Sequence, residues 1–317
     1  LAERMSCGLK IIATGAAKPA KSITNDDLAL TIDTSDEWIY SRTGIHSRFF
    51  CEKEENCTSL AIQAAKLALT RSGLAPEQIG CCICATISGD YATPSVSCLV
   101  QQALGLPENI PVMDINAACS GFIYALETAR RFLNESAPYG LIIGVEQLSR
   151  LLDMTDRSTC VLFGDGGGAA VVEVVTDSPH AAILGARGGL EIQCPGAGYP
   201  DNYIQMDGTG VFRFAVEAIP KCIDYLLQSS GLTLDEIDHV ICHQANSRII
   251  DHCVKKLHAE PSRFFQNMDH FGNTSAASIP LALNELFESG QLLSGQKLFL
   301  VGFGSGLTWG GILITMK

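Results

Sequence analysis

The chain has 317 residues, 47% of them hydrophobic and only 18% charged, enough to bury a large core in two domains or two halves. Its 34 acidic against 22 basic side chains leave a formal net charge of −12. This excludes a general nucleic-acid binder, because phosphate binding needs a basic surface. No apolar run is long enough to span a membrane and no signal-peptide pattern occurs, so a cytoplasmic protein that does not enter the membrane is expected. Leu1-Ala2-Glu3-Arg4 precede Met5, which would itself serve as a start.

Thirteen cysteines, an odd number in a chain without an export signal, read as reduced thiols. Cys81 and Cys84 form a C-x-x-C. In the strand-like run Cys81-Cys82-Ile83-Cys84-Ala85, however, their odd separation puts the two side chains on opposite faces. They are expected to be small core residues, and no metal site is expected.

In chain order, an amphipathic helix over 60–71 leads through Ser72-Gly73-Leu74-Ala75-Pro76-Glu77-Gln78-Ile79 into an apolar strand at 81–84. Next comes Asp114-Ile115-Asn116-Ala117-Ala118-Cys119-Ser120-Gly121-Phe122, with Cys119 at the seam of an apolar strand and an apolar helix. A helix N-terminus favours a thiolate, so Cys119 is the candidate nucleophile, with a buried structural cysteine as the alternative. An apolar strand follows at 141–145, and a second amphipathic helix at 215–229. That helix ends in Ser230-Gly231-Leu232-Thr233-Leu234-Asp235-Glu236-Ile237, which repeats the earlier linker without a gap and enters the strand Val240-Ile241-Cys242. Leu141-Ile142-Ile143-Gly144 and Phe299-Leu300-Val301-Gly302 keep the same offset. A looser match sets Ala118-Cys119-Ser120-Gly121 beside Gly272-Asn273-Thr274-Ser275.

The chain thus reads as two related α/β halves, 1–175 and 176–317, with strands covered on both faces. The duplication predicts that Cys119 and Asn273 begin equivalent central helices. It also places His243 just beyond a strand end, where α/β sheets hold ligands. Alone, His243 reads equally as a core histidine and Asn273 as a helix cap. The glycine stretches 164–168 and 302–306 lack the Lys-Ser or Lys-Thr of a Walker-type phosphate loop.

Cys119 within Asn116-Ala117-Ala118-Cys119-Ser120-Gly121, His243 within His243-Gln244-Ala245-Asn246 and Asn273 within Gly272-Asn273-Thr274-Ser275 together resemble the condensing enzymes of the thiolase superfamily. The nearest resemblance is to the 3-oxoacyl-acyl-carrier-protein synthase III family. Thr34-Ser35-Asp36-Glu37-Trp38-Ile39, Arg42-Thr43-Gly44-Ile45, Phe163-Gly164-Asp165-Gly166 and Gly302-Phe303-Gly304-Ser305-Gly306-Leu307-Thr308-Trp309-Gly310 extend it over the whole chain. The resemblance implies a thiolase-like five-layered α-β-α-β-α fold and a homodimer. It implies a decarboxylative condensation that starts fatty acid synthesis. A related condensing enzyme or acyltransferase of polyketide or other secondary metabolism is the alternative. A Cys-His-Asn hydrolase and a silent binding module are more distant readings.

The resemblance also assigns residues. Cys119 would attack an acyl-CoA thioester, with its own N–H and that of Gly306 as the oxyanion hole. His243 and Asn273 would stabilise the enolate left when malonyl-carrier protein loses carbon dioxide. Trp38 would stack on the CoA adenine, with Thr34, Arg42 and Arg157 near the nucleotide, and Gly208, Phe212 and Asn246 would line the pantetheine tunnel. Around Asp207-Gly208-Thr209-Gly210 the sequence departs from the family pattern. Thr93, where some relatives carry a bulky aromatic, would border the acyl pocket. Coenzyme A thioester enters as substrate, and no tightly bound cofactor is expected. Acyl carrier proteins are acidic like this chain, so docking needs a local basic patch. Arg248, His252, Lys255 and Lys256 fall on one face of a helix whose other face is apolar, and supply it.

Overall fold

The structure, a computed structural model, describes residues 7–176, 178–196 and 203–317. Leu1 to Met5, and Asp177 at the expected division between halves, lie outside the described residues.

Two sets of strands share one topology. In the first, Tyr139–Glu146 runs parallel to Ile79–Ala85 and antiparallel to Gly166–Val175, which pairs antiparallel with Gly8–Ala17. In the second, Lys297–Gly304 runs parallel to His239–Cys242 and antiparallel to Thr308–Met316, which pairs antiparallel with Ala182–Ala186. Even the outermost pairing recurs. Val112–Ile115 lies parallel to Ile79–Ala85, and Phe264 forms a parallel bridge to Val240. The sets join where Gly8–Ala17 meets Thr308–Met316 over two parallel pairs, Lys10 with Thr315 and Ile11 with Met316.

Three large apolar cores hold the five layers together, the central one spanning both faces of the middle helices. The outer helices Cys57–Ser72 and Val96–Leu104 cover one strand set through Leu60, Ala64, Val100 and Val171. The central helices Gly121–Phe132 and Ser278–Glu288 pack between the sets through Phe122, Ile123, Ile279 and Leu283. Gly208–Ser230 and Ser247–Lys256 cover the far side through Ile219, Ile223, Ile250 and Phe299. Strands with an apolar layer on each side must be apolar throughout, which is why they read as uninterrupted hydrophobic runs. Cys81 faces the central core and Cys84 an outer one, as their spacing predicts.

The repeated linker has a local cause. Both preceding helices stop at a left-handed glycine, Gly73 at φ 70° and Gly231 at φ 71°. A short turn follows in each copy. Its first backbone N–H is held by a side chain three residues on, Ala75 N–H by Gln78 and Thr233 N–H by Glu236. That clasp aims the chain into the next strand.

The looser part of the predicted repeat is off by three residues. Cys119 lies in the turn Ala118–Ser120 ahead of helix Gly121–Phe132, and the matching turn ahead of Ser278–Glu288 is Ser275–Ala277. Ala118 and Ser275 hold the same left-handed conformation, φ 45° and 49°. Ala276 therefore corresponds to Cys119, and Asn273 precedes the turn. Matching small and polar residues by type misaligned two segments whose shared feature is a backbone shape.

Candidate active site

A cavity of about 940 Å³ opens between the halves, and Cys119, His243 and Asn273 all line it. The Cys119 turn is held from both sides. Ser120 Oγ donates to the Ala117 carbonyl and contacts Thr308 Oγ1, which also reaches the Ser305 carbonyl. The glycine-rich strand end then backs onto the cysteine. A Cβ at Gly304 would stand 2.8 Å from Cys119 N, so only glycine fits there. Gly306, at φ 131°, also lines the cavity.

Burial, not the helix end, governs the thiol. Cys119 is 9% exposed, and its pKa is pushed up to about 12. Burial is the main cause; Ser275 opposes it, the Glu146 carboxylate adds to it, and the cysteine's own N–H opposes it. This corrects the expectation of a thiolate at rest. The sequence shows that a helix starts here but not how deeply the sulfur is buried. Alkylation by iodoacetamide, followed by mass spectrometry of the Cys119 peptide, should therefore climb about tenfold per pH unit from about pH 7 to about pH 10. A plateau near neutrality would indicate a thiolate.

His243 follows strand His239–Cys242, its N–H bonded to the Val301 carbonyl at 2.8 Å. It is 1% exposed, and burial pushes its pKa down to about 3, so the imidazole is neutral at physiological pH. Nδ1 lies 2.7 Å from Ser278 Oγ, which also accepts the Gln244 N–H. A serine oxygen already accepting one bond is well placed to donate its own proton to Nδ1. That favours the tautomer with its hydrogen on Nε2, the ring nitrogen left for the cavity. Phe303 packs edge-on against the ring at 5.3 Å.

Asn273 is fixed by its backbone. Its N–H donates to Leu162 O at 2.8 Å and its carbonyl accepts Gly164 N–H at 3.0 Å. The stretch Phe163-Gly164-Asp165 thus serves as a brace for this asparagine. The Asn273 Oδ1 accepts Ser275 N–H at 2.9 Å, so the carboxamide caps the turn and its NH₂ stays available.

Gly208, Phe212 and Asn246 line the same cavity. Trp38, Arg42 and Arg157 form a cluster outside its lining, with both guanidiniums over the indole at 4.5 and 4.6 Å. Asn246 joins the two groups by donating to the Arg42 carbonyl. Thr34 precedes helix Asp36–Thr43, which carries Trp38 and Arg42, and its hydroxyl is buried without a partner among the described residues. The basic helix is Ser247–Lys256. It exposes Arg248, His252, Lys255 and Lys256 and buries Ile249, Ile250, Cys253 and Val254. His252 stands edge-on to Phe212 at the cavity.

Thr93 is exposed and is not among the cavity's lining residues. The large aliphatic side chains of that lining include Ile87, Leu148, Leu151, Leu162 and Ile204. A resemblance fixes a position in sequence, whereas which wall that position reaches depends on a loop path. Ser278, Thr308 and Phe303 were not assigned from sequence. Ser278 carries the one available signal, as it opens the apolar run after the asparagine motif.

Two stacked strand sets with a cysteine turn between them define a thiolase-fold condensing enzyme. The profile described as 3-Oxoacyl-[acyl-carrier-protein (ACP)] synthase III matches residues 113–189, and that of its C-terminal part matches residues 227–316. Beta-ketoacyl-[acyl-carrier-protein] synthase III of Clostridium tetani is 43% identical, over 96% of this chain and 98% of its own. The crystal structure of 3-oxoacyl-[acyl-carrier-protein] synthase III from Aquifex aeolicus superposes with a TM-score of 0.91 at 43% identity, over 96% of this chain and 99% of that one. The Thermus thermophilus enzyme gives 0.92 at 39%, over 97% and 99%. The chain belongs to the 3-oxoacyl-acyl-carrier-protein synthase III family.

Proposed function

We propose that this enzyme condenses an acyl-CoA primer with malonyl-acyl-carrier protein to give a 3-oxoacyl-carrier protein, the first carbon–carbon bond of fatty acid synthesis. The observation that carries the assignment to residues is the convergence of a thiol, a neutral imidazole and a carboxamide on one cavity.

In the first half-reaction Cys119 attacks the thioester carbonyl, and the Cys119 and Gly306 N–H groups receive the oxyanion. Coenzyme A leaves, and the acyl group stays on sulfur. Malonyl-carrier protein then enters and loses carbon dioxide. The charge passes to the thioester oxygen, where His243 Nε2–H and the Asn273 NH₂ donate to it. Both donors are uncharged, so neither holds back the carboxylate by an ion pair. The enolate carbon attacks acyl-Cys119, the C–S bond breaks with its electron pair on sulfur, and the thiolate takes a proton from water to regenerate the thiol. None of these steps calls for a metal or a tightly bound cofactor.

Trp38, Arg42, Arg157 and Thr34 hold the nucleotide end of CoA, and Gly208, Phe212 and Asn246 guide pantetheine to the sulfur. The helix face Arg248, Lys255 and Lys256 beside that entrance receives the acidic carrier protein. We read the chain as two duplicated halves, 1–175 and 176–317. We further read it as a cytoplasmic homodimer, to which the partly exposed edge strand Val112–Ile115 offers unpaired backbone.

Release of carbon dioxide from malonyl-carrier protein, dependent on prior acylation of Cys119, tests the reading; acyl-CoA hydrolysis without acceptor would favour a hydrolase. Reversing Arg248 and Lys256 to Glu together should raise KM for malonyl-carrier protein about tenfold and leave acylation by acyl-CoA within about twofold. Steady-state kinetics with each substrate varied would show this, and unchanged carrier-protein kinetics would remove the patch from the account.

A further inference from the structure

The loop from Thr86 to Ala92 follows strand Ile79–Ala85 and lines the cavity along its whole length. Polar bonds fix its path from Thr86 to Asp90. Glu146, at the end of strand Tyr139–Glu146, is completely buried and does not itself line the cavity. Its carboxylate accepts the Ile87 N–H and the Thr86 hydroxyl, both at 3.1 Å, and the Ser88 hydroxyl. The Ser88 oxygen in turn accepts the Gln147 N–H at 2.8 Å. The Arg150 guanidinium donates to the Ser88 and Gly89 carbonyls and to the Asp90 carboxylate. The other Asp90 oxygen accepts the Thr58 N–H at 2.8 Å, which ties the loop to the first turn of the outer helix Cys57–Ser72.

Between Glu146 and Arg150 runs the turn Leu148–Leu151, whose Leu148 and Leu151 line the cavity. Ile87 of the loop and Leu151 of the turn both pack against an apolar cluster of Leu148, Leu152, Phe163 and Ile204. One short stretch of chain therefore supplies part of the cavity's apolar lining and fastens the loop beside it. We propose that Glu146 and Arg150, by clasping this loop, set the width of the cavity's apolar end and so select which acyl chain reaches Cys119. The proposal rests on the reading of Cys119 as the nucleophile that accepts the acyl group. None of the steps above uses either residue. Both are positioning residues, acting on the acyl chain through the loop they hold.

Selection needs a wall that does not yield. A loop held by apolar contact alone can shift to admit a larger guest, whereas buried bonds to a charged group are costly to break, because the donors would be left unpaired. The planar guanidinium of Arg150 spans all three of its acceptors at once, which a single ammonium cannot do. Against a wall fixed in this way, one methylene too many or too few in an apolar pocket changes the rate about tenfold or more. Asp90 and Arg150 also line the cavity, but they are paired with each other at 3.3 Å. Their charges are thereby spent on the loop, and the end beside Ile87, Leu148 and Leu151 suits an alkyl chain and not a charged acyl group.

The test compares second-order rates of Cys119 acylation by acetyl-, butyryl-, hexanoyl- and octanoyl-CoA, read by intact mass of the full-length enzyme. In wild type the best and worst primers should differ by at least about tenfold. Glu146→Gln keeps the side-chain volume and leaves the lining untouched, but puts a donor where the loop offers donors. It should shrink that spread at least about fivefold. Arg150→Ala should shrink it as much, and Arg150→Lys, which retains the charge without the fork, should fall between. The spread is a ratio, so a general loss of active enzyme slows every primer alike and leaves it unmoved. A spread within about twofold of wild type in Glu146→Gln, or no spread in wild type, would overturn the proposal. If Glu146→Gln does not fold, Ser88→Ala decides in its place, since it removes the hydroxyl that joins the carboxylate to Gln147. Absence of any acyl adduct in wild type would instead remove Cys119 as the nucleophile, and the proposal with it.

Discussion

Cys119→Ala is expected to gain no mass on incubation with acyl-CoA and to turn over at least about 10³-fold more slowly than wild type. The size of the effect follows from the surroundings of the sulfur. Twelve other cysteines are present, but the buried ones lie within apolar cores or strands. Cys119 is held on a turn at a cavity wall, with its own backbone N–H beside the sulfur. Removing the sulfur leaves that cavity with no nucleophile to accept the acyl group. Since the substituted side chain is smaller and lies against glycine backbone, the fold should survive and the melting temperature should fall only slightly. An acyl adduct persisting on Cys119→Ala would move the nucleophile elsewhere.

His243→Ala and Asn273→Ala should show the converse pattern. Each is expected to lower carbon dioxide release from malonyl-carrier protein by about 10²- to 10³-fold, the usual worth of a donor aimed at developing negative charge. Acylation of Cys119 should stay within about threefold in both. The separation has a physical basis, since the buried imidazole, at a pKa of about 3, is a poor base for a thiol but a good neutral hydrogen-bond donor. Stopped assays of radiolabelled carbon dioxide beside intact-mass measurement of the acyl-enzyme would separate the two half-reactions. Equal losses in both would mean that the histidine serves the thiol after all.

Much of the fold was legible because duplication leaves its strongest mark in linkers. The Ser-Gly-Leu segments need a left-handed glycine and a clasping Gln or Glu in both copies, so their residue types survive. The turns before the central helices share only a backbone conformation, which alanine and serine both adopt here, and the sequence match slipped by three residues. Cys119, His243 and Asn273 were legible only as a set, through the resemblance their three motifs carry together, since each alone also fits a structural role. The protonation state of the thiol was not, as it depends on how much protein lies above the sulfur.

The central claim is that acyl transfer and condensation both occur at Cys119, and mass spectrometry of the intact enzyme tests it most directly. Acyl-CoA should add one acyl mass, mapped to the Cys119 peptide, and malonyl-carrier protein should then remove it with one equivalent of carbon dioxide and one of 3-oxoacyl-carrier protein. An enzyme that turns over without acyl mass on Cys119, or whose adduct malonyl-carrier protein leaves in place, would contradict the account.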